Sequence, residues 1–472
     1  MTINSNRRLY MPSQETEVNR ELQRRKALRK KREEQRRRQE QERKKLMLRL
    51  ALVGVVLVLA TGLILAVAGG MFTPGQTIPS QPPQTQPHQT QPPQTHQTTP
   101  QQTEPSGSEP GATNGPEELQ EGTTVIHIAA AGDLNVTDRM IESASTPYGY
   151  NFASAFLDVA PVLSQADLTV LNYEGTFAGA PYGTQTGSAP PELAQALAAI
   201  GVDAVQTANS ASIRAGLLGL KSTISTLEAA GIRPVGTFAD ASAFRSSGGY
   251  TIIEVKGLRI ALVAFTKGMD NLGLPEGGKN CVNLLYEDYT TTYDKVDTDA
   301  IRKVLRNVAE EQPDLVIAMV HWGSEYNESI SSTMKKIRNQ LLDGGVDIIL
   351  GTHPHLLKTV EHNTEKNTLV AYSLGDFYGD APQRGSNYSI ILDIEVTRDN
   401  ATGQVTITGY DYVPIYSLQP EESAAGGQRV VRIEEAMARY NGNYLGKITA
   451  SVYSSMEYAL TRISERIAEP VK

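Results

Sequence analysis

Two histidines separated by a single residue, His353 and His355, follow an apolar run that begins at Val346. The run has the length and β-branched composition of a strand, and Gly351 and Pro354 predict a sharp turn at its end. Binding sites in open α/β sheets lie beyond the carboxyl ends of strands, and imidazole is the commonest protein ligand of transition metals. The pattern therefore indicates either a metal site on a rigid loop or two histidines in an ordinary surface turn.

Further polar clusters lie just beyond other predicted strands in the same way. They are Gly132-Asp133, Asn172-Tyr-Glu174, Ala208-Asn209 and His321-Trp-Gly-Ser-Glu325. An aspartate or asparagine after a strand is a weak indication alone, because both residues favour turns and helix caps. His321 is a stronger candidate, since it ends an apolar strand and precedes the only tryptophan of the chain. Together the clusters favour a metal site over a set of unrelated turns.

The side chains of these clusters offer carboxylates, an amide oxygen and imidazoles. This mixture suits divalent Mn, Fe or Zn better than Ca or Mg. The predicted metal ligands are Asp133, Glu174, Asn209, His321, His353 and His355. One ion or two are expected, because a bridging carboxylate can hold a pair about 4 Å apart. Such ions polarise a phosphoryl or acyl oxygen and lower the pKa of a bound water.

Strands and helices alternate over most of the chain after residue 123. Predicted strands cover residues 125–131, 168–171, 204–205, 250–255, 259–265 and 315–320, and predicted helices cover residues 152–165, 191–200, 217–230, 299–311 and 331–342. Residues 266–299 have weak periodicity and predict a long loop. Further predicted strands lie near residues 358–361, 368–373, 389–396 and 405–412, and closing helices near residues 432–440 and 449–467. The pattern predicts an α/β domain with a second or mixed sheet.

Three segments precede this domain. Residues 1–49 are rich in Arg, Lys, Glu and Gln without an apolar stripe, which is typical of a solvated helix or a disordered segment rather than a nucleic-acid-binding element. Residues 50–72 are uncharged and mostly apolar, and about 20 such residues can span a bilayer as a helix. Residues 73–121 are a low-complexity linker rich in Pro, Gln and Thr. The folded domain is predicted to cover residues 122–472.

Charge indicates the orientation of the apolar segment in a membrane. The first 50 residues contain 17 Lys/Arg and 7 Asp/Glu, whereas the remainder contains 27 and 45. Basic residues precede the apolar run, and none follows it before Arg139. The positive-inside rule then predicts a single-pass protein with a cytoplasmic amino terminus and an extracellular domain. The single cysteine, Cys281, cannot form an intrachain disulfide, so an external domain must be stabilised by its hydrophobic core.

The order of these motifs resembles that of the capsule-synthesis CapA family, which includes the poly-γ-glutamate capsule protein of Gram-positive bacteria and is related to calcineurin-like metallophosphatases. The segments that carry the resemblance are Gly132-Asp133, Asn172-x-Glu174, Ala208-Asn209, His321-Trp-Gly-x-Glu325-Tyr, Gly351-x-His-Pro-His355 and Tyr372-Ser-Leu-Gly-Asp-Phe377. The resemblance implies a metallophosphatase-like sandwich of two mixed β-sheets flanked by helices, here preceded by a single transmembrane helix. It also implies that the ligands named above line one metal site.

Three positions depart from the family pattern. Ala211 stands where the family has a histidine, and alanine offers neither a proton nor a ligand atom. Asn135 replaces the histidine in the Asp-x-His motif of metallophosphatases, and Asp376 replaces the asparagine of Ser-Leu-Gly-Asn-Phe. Losing a general acid typically lowers a rate about 10²–10⁴-fold, so the site would either bind metal and work slowly or take the proton from another residue such as Glu325. The predicted catalytic residues are His321, Glu325 and Asp376.

The resemblance implies a role in making, transferring or releasing an extracellular anionic polymer such as poly-γ-glutamate. Expected partners are this polymer or its precursor, capsule polymerase and export proteins of the same membrane, and the bilayer itself through residues 50–72. A metal-dependent hydrolase or transferase is one expectation. The alternatives are a scaffold or binding protein that kept the fold and lost the chemistry, as Ala211 and Asn135 suggest, or a phosphoesterase. Because the domain is acidic, contacts with a polyanion are expected to be local.

Overall fold

The computed structural model describes residues 122–422, 426–440 and 448–468. These residues include most of the domain predicted to begin at residue 122. The predicted cytoplasmic segment, membrane span and linker, residues 1–121, lie outside the described residues. Within the described residues, no helix is both long and apolar enough to cross a bilayer.

Strands and helices follow one another along the described residues. The strands are β1 (Thr123–Asn135), β2 (Ser145–Thr146), β3 (Gly149–Tyr150), β4 (Leu168–Glu174), β5 (Ala204–Gln206), β6 (Arg233–Val235), β7 (Thr251–Val255), β8 (Leu258–Thr266), β9 (Leu315–His321), β10 (Ile348–Thr352), β11 (Val360–Asn363), β12 (Thr368–Ala371), β13 (Asp376–Tyr378), β14 (Tyr388–Asp399), β15 (Val405–Leu418) and β16 (Arg429–Arg432). The helices are α1 (Asp138–Ala144), α2 (Ala153–Phe156), α3 (Ala160–Leu163), α4 (Glu192–Ala199), α5 (Gly216–Ala229), α6 (Ala241–Ser247), α7 (Thr298–Glu310), α8 (Ser332–Asp343), α9 (Ile433–Ala438) and α10 (Ala450–Ile467).

Apart from a small ribbon of β2 and β3, the strands form two mixed sheets. The larger, eight-stranded sheet has the order β16-β15-β14-β1-β4-β5-β6, and the short strand β13 pairs with the end of β1. The smaller, six-stranded sheet has the order β11-β12-β10-β9-β8-β7. Neighbours are parallel along β1-β4-β5-β6 and along β12-β10-β9-β8, whereas the pairings with the outer strands are antiparallel. The prediction of an α/β domain with mixed sheets is confirmed.

The two sheets pack face to face between layers of helices. In β1, Ile126 and Ile128 lie in the core between the sheets, whereas Ala129 and Ala131 lie in a second core with α1 to α4. β8, β9 and β10 alternate in the same way, and their other face forms a third core with α7 and α8. Because both faces are buried, these strands are apolar along most of their length instead of alternating with polar residues.

The predicted helix 152–165 is divided into α2 and α3. Pro161 lies in the first turn of α3 and lacks the N–H that a continuous helix would bond to the carbonyl of Leu157. Proline is tolerated at the start of a helix for the same reason, so one helix ends and another begins. The prediction of a single helix is therefore wrong, although the chain is helical on both sides of the break.

Strand β1 is longer than predicted and continues through Gly132 and Asp133 to Asn135. Its register against β4 is irregular between Ala130 and Asp133. At this irregularity the backbone of Gly132 lies so close to the segment before β13 that a Cβ would overlap the carbonyl oxygen of Gly375. Asp133 therefore lies inside the sheet and not on a loop.

An aspartate stands directly before each of the parallel strands β4, β5, β9 and β10. The carboxylate accepts a hydrogen bond from the backbone N–H of one residue on the neighbouring strand. The backbone N–H of the aspartate donates to the carbonyl oxygen of that same neighbouring residue. The pairs are Asp167 with His127, Asp203 with Thr169, Asp314 with Arg259, and Asp347 with Val316, with carboxylate distances of 2.7–2.9 Å. These bonds tie the strands together at the edge opposite their carboxyl ends.

Replacing Asp347 with asparagine is expected to stabilise the fold at neutral pH. Burial raises the pKa of Asp347 to about 6, although the N–H of Val316 favours the carboxylate. An aspartate in an unfolded chain has a pKa of about 3.9, so the native state binds the carboxyl proton of Asp347 more tightly than the unfolded state does. This difference stabilises the native state at acidic pH, and the stabilisation is lost as the pH rises to about 6. Asparagine does not titrate and keeps an acceptor for Val316. The free energy of unfolding at neutral pH should therefore rise by about 1 kcal/mol.

Asp167→Asn is the matched control, because this carboxylate has the opposite surroundings. Burial raises the pKa of Asp167, but hydrogen bonds from Lys256 and His127 outweigh burial and hold the pKa below its usual value. The ionised form therefore stabilises the native state above about pH 4, and the variant should lose stability at neutral pH. Urea unfolding across the acidic and neutral range measures both effects, and shifts of the same sign in the two variants would contradict the prediction.

Candidate metal centre

Polar side chains from both sheets meet at the carboxyl ends of the parallel strands. Asp133 and Glu174 lie at the ends of β1 and β4 in the larger sheet, and His321 ends β9 in the smaller sheet. His353 follows β10, and its backbone N–H donates to Asp133 Oδ2 over 3.1 Å, which joins the two sheets. Asp376 begins β13 beside β1. The predicted site residues at these strand ends are thus brought together.

Close packing explains why a tryptophan follows His321 and why a glycine precedes His353 in the two histidine motifs. Trp322 is fully buried, and its indole N–H donates to the carbonyl oxygen of Tyr372 over 2.9 Å. Gly351 lies against the same carbonyl, which a Cβ at position 351 would overlap. The indole and the glycine therefore fix the ends of β9 and β10 relative to the end of β12, and with them His321 and His353.

The turn after β10 holds its two histidines in left-handed backbone conformations. His353 and His355 have φ angles of 87° and 57°. Such angles cost a non-glycine residue on the order of 1–3 kcal/mol and cluster at functional sites. Pro354, between the two histidines, restricts the backbone further. The turn thus directs both imidazoles to one site at a cost in backbone strain.

Glu174, His321 and His353 form a first group of side chains that could hold one metal ion. Their ligand atoms lie within 4.8 Å of one another, with 3.4 Å between His321 Nε2 and Glu174 Oε1. Glu174 Oε2 and His353 Nδ1 are buried and have no hydrogen-bond partner among the described residues, and the buried His321 Nε2 makes no hydrogen bond although it faces Glu174 Oε1. Buried polar atoms are nearly always paired. Unpaired atoms on each of these side chains therefore fit a bound cation.

Asp133, His355 and Asp376 form a second group, whose ligand atoms also lie within 4.8 Å of one another. His355 Nδ1 is 2.7 Å from Asp376 Oδ1 and 3.5 Å from Asp133 Oδ2. The exposed Glu325 forms a further group with His353 and His355. Asp376 was predicted as a catalytic residue and not as a ligand, but its carboxylate lies among side chains that could bind a metal ion. The arrangement is compatible with one ion or two.

Burial and neighbouring charges set the protonation of these groups. Burial lowers the pKa of His353, and His321 lowers it further, so this imidazole is neutral and offers a lone pair. Burial opposes ionisation of Glu174, but His321 and the other imidazoles outweigh it and hold its pKa well below the usual range. Burial lowers the pKa of His355, yet Asp376 raises it to about 11. His353 and Glu174 thus offer a lone pair and a carboxylate to a cation, whereas the second group holds a proton that a cation would displace.

Asn209, a predicted ligand, belongs to a buried hydrogen-bond network. Its amide nitrogen donates to Asn172 Oδ1 and to the carbonyl of Tyr173, and its Oδ1 accepts from the N–H of Ala211. Asn172 in turn donates to Asp133 Oδ1 over 2.6 Å. The network orients Asp133, and metal ligation by Asn209 itself stays a prediction.

Two of the departures from the family pattern contact each other. Asn135 donates to Asp376 Oδ1 over 3.0 Å, and the same oxygen is the one held by His355. Asn135 therefore positions the carboxylate of Asp376 in this structure. Ala211, the third departure, is fully buried and adds no polar side-chain atom to the site.

Lys267 is a site residue that was not predicted from the sequence. It directly follows β8, and its Nζ donates to the carbonyl of Gly323 over 2.8 Å and lies 3.4 Å from His353 Nε2. Burial lowers the pKa of Lys267, while Glu325 opposes that change. Lys267 could have been identified from the sequence, because it follows an apolar predicted strand in the same way as the other polar clusters. Its ammonium places a positive group beside the first metal-binding group.

Comparison with known proteins relates this site to a family. A model of the family described as "Bacterial capsule synthesis protein PGA_cap" matches residues 127–381, which is more than half of the chain. The chain belongs to this family. The part matched by the PGA_cap model contains the site residues from Asp133 to Asp376. The family expected from the motifs is thereby confirmed.

Two capsule proteins are among the relatives of this PGA_cap family member. The PGA biosynthesis protein CapA of Bacillus subtilis (strain 168) is 24% identical over 309 residues, which cover 64% of this chain and 75% of that protein. The capsule biosynthesis protein CapA of Bacillus anthracis is 26% identical over 252 residues, which cover 52% of this chain and 56% of that protein. The crystal structure of calcineurin-like phosphoesterase YfkN from Bacillus subtilis aligns with 72% of this chain and 98% of its own, at 15% identity and a TM-score of 0.39. A likeness at that score has no bearing on activity.

Proposed function

We propose that this protein acts on an extracellular anionic polymer, poly-γ-glutamate or a similar chain, during its synthesis or release, by means of a divalent-metal site. The unpaired buried atoms of Glu174, His321 and His353 carry the metal part of the proposal. Family membership and the two capsule relatives support the polymer part. Mn, Fe or Zn suits the mixture of carboxylate and imidazole ligands.

The side chains of the site have distinct roles in this proposal. Glu174, His321 and His353 hold the cation, which when bound polarises an acyl or phosphoryl oxygen of the substrate. Lys267 places a positive charge beside His353, where it can bind a substrate carboxylate or stabilise negative charge that develops in the reaction. Glu325, exposed and close to His353, is the proposed proton donor.

The proposal includes a place for the domain outside the cell membrane. Residues 50–72 would span the bilayer, residues 1–49 would be cytoplasmic, and residues 73–121 would tether the domain. Capsule polymerase and export proteins of the same membrane are the proposed protein partners, and nucleic acid is not expected.

Incubating the full-length protein with poly-γ-glutamate and Mn²⁺ tests the reaction. We expect the polymer to shorten only when metal is present, and His353→Ala to abolish the change because it removes a ligand. Gel electrophoresis reports chain length, and an amine-reactive dye reports newly formed amino groups. His127→Ala is the matched control, because His127 pairs with Asp393 at a partly exposed position of β1 and should leave activity unchanged.

Binding without catalysis is a second candidate function, favoured by Ala211, which is buried where the family has a histidine. In that case the polymer would bind to the protein but keep its length, with or without metal. Hydrolysis of bis-p-nitrophenyl phosphate without shortening of the polymer would instead indicate a phosphoesterase. The same samples therefore separate the three functions.

A further inference from the structure

A small pocket lies against the segments that carry the metal centre. Its volume is about 230 Å³, and its wall includes Leu356, Leu357, Arg384, Tyr458 and Arg462. The two leucines directly follow His355 in the chain, and Tyr458 and Arg462 belong to α10. The pocket is thus built between the histidine turn and the last helix.

The pocket shares its supporting segments with the candidate site. The loop that carries Arg384 and Gly385 follows β13, which begins with Asp376. The loop that carries Glu328, another wall residue, follows β9, which ends with His321. A ligand in the pocket would therefore contact loops that continue from the strands of the candidate site.

The pocket is cationic although the domain is acidic. Arg384, Arg462 and Arg466 line it, and Glu328 is the acidic residue of its wall. Arg466 pairs with Glu328 and Arg462 with Glu465, whereas Arg384 has no carboxylate partner among the described residues. The chain after residue 50 carries 45 Asp/Glu against 27 Lys/Arg. A local positive pocket in such a domain is suited to an anionic ligand.

A buried lysine adds to the positive potential near this pocket. Lys358 follows Leu357, and its Nζ donates to the carbonyl of Ser329 over 2.7 Å. Burial lowers the pKa of Lys358 to about 8, and the neighbouring Arg466 contributes to the lowering. An anion in the pocket would relieve this repulsion between like charges.

Aromatic rings hold the free guanidinium in place. Arg384 lies over the ring of Tyr458, with 4.7 Å between its Cζ and the ring centroid, and Tyr388 packs edge-on against the same ring. Tyr458 is 41% exposed, so part of its side chain is accessible from solvent. A guanidinium stacked in this way loses little freedom on binding and presents its planar fork to a carboxylate.

The pocket lies largely outside the part of the chain that the family model matches. That match ends at residue 381, whereas Arg384, Tyr388 and α10 come later. Most of the pocket wall is therefore contributed by residues beyond the matched part, whereas Glu328, Leu356 and Leu357 lie within it.

We infer that this pocket binds one carboxylate-bearing residue of the polymer and holds the chain beside the metal centre. The inference rests on the proposed function, because the ligand is taken from that polymer. A volume of about 230 Å³ is below the roughly 300–1,000 Å³ of typical ligand pockets, so the pocket suits a single residue and not an extended segment. Arg384 and Arg462 supply the charged hydrogen bonds to the carboxylate.

Binding of a fluorescent oligomer of γ-linked glutamate to the full-length protein tests the inference. Arg384→Gln should weaken binding about 10-fold, since a hydrogen bond to a charged group is lost. Arg302→Gln is the matched control, because Arg302 is an exposed arginine on α7 that lines a different cavity. This control should bind as wild type, and both variants should unfold at the wild-type midpoint because both side chains are exposed.

Several results would overturn the pocket assignment. Wild-type affinity in Arg384→Gln, or equal weakening in both variants, would show that Arg384 makes no specific contact. Polyphosphate as a competing probe separates the ligand classes: if Arg384→Gln weakens polyphosphate binding more than oligomer binding, the carboxylate assignment is overturned. An oligomer that fails to bind wild type also overturns the assignment. None of these binding results tests the proposed function, which is tested by the polymer-length assay alone.

Discussion

Replacing His353 with alanine should lower the affinity of the protein for Mn²⁺ or Zn²⁺ at least about 100-fold. His353 supplies one of the ligand atoms of the first group, and its Nδ1 is buried without a hydrogen-bond partner among the described residues. Loss of a group that only supports a ligand already costs about 10–100-fold in affinity, and loss of a ligand costs at least as much. Competition with a chromophoric chelator gives the affinity, and elemental analysis gives the metal content per chain.

His127→Ala is the control that distinguishes the loss of a metal ligand from the loss of any histidine side chain. His127 pairs with Asp393 over 3.2 Å in β1, on a strand that also carries Asp133. The control should therefore keep the metal content of the wild type. Equal metal content in His353→Ala and wild type would contradict the assignment of His353 as a ligand, provided that both variants show the unfolding transition of the wild type.

Replacing Gly132 with alanine should destabilise the fold by about 3 kcal/mol or more. A Cβ at this position would overlap the carbonyl oxygen of Gly375, which accepts the N–H of Asp133 over 2.9 Å. Relief of the overlap requires β13 to move away from β1, and Asp376 moves with β13. The second metal-binding group would then open, so metal affinity should fall together with stability. Urea unfolding followed by the fluorescence of Trp322, which is buried, measures the first effect.

Gly409→Ala is the matched control for this substitution. Gly409 lies in β15 of the same sheet, and a Cβ there would have no atom within 4 Å. The free energy of unfolding should change by no more than about 0.5 kcal/mol. If Gly132→Ala were as stable as Gly409→Ala, the close approach of β1 and β13 would not be needed for the fold.

The strand ends of the site were predictable from sequence because the parallel strands are buried on both faces. Each of these strands is apolar along most of its length, so a cluster of polar residues after it marks the carboxyl end. This signal predicted the positions of Asp133, Glu174, His321 and His353, which the structure brings together. The same rule applied to β8 would have found Lys267.

The remaining parts of the site depend on contacts that no local pattern reveals. Strand β13 has three residues, too few for a periodic signal, and Asn135 and Asp376 are 241 positions apart in the chain. The network of Asn172 and Asn209 depends on which amide atoms face each other in the folded core. Pairing of Arg384 with Tyr458 likewise requires the last helix to be in place. Tertiary packing, and not local sequence, decides each of these contacts.

The aspartates before β4, β5, β9 and β10 have a consequence for protein engineering. They fasten the parallel strands at their amino ends, so contacts that set strand register lie at the edge opposite the loops of the site. Loops such as residues 379–387 could therefore be exchanged for those of a relative while the sheets keep their alignment. Such an exchange would replace Arg384 and Gly385 in the wall of the pocket, so it would change the proposed binding site while the hydrogen bonds at the amino ends of the strands are kept.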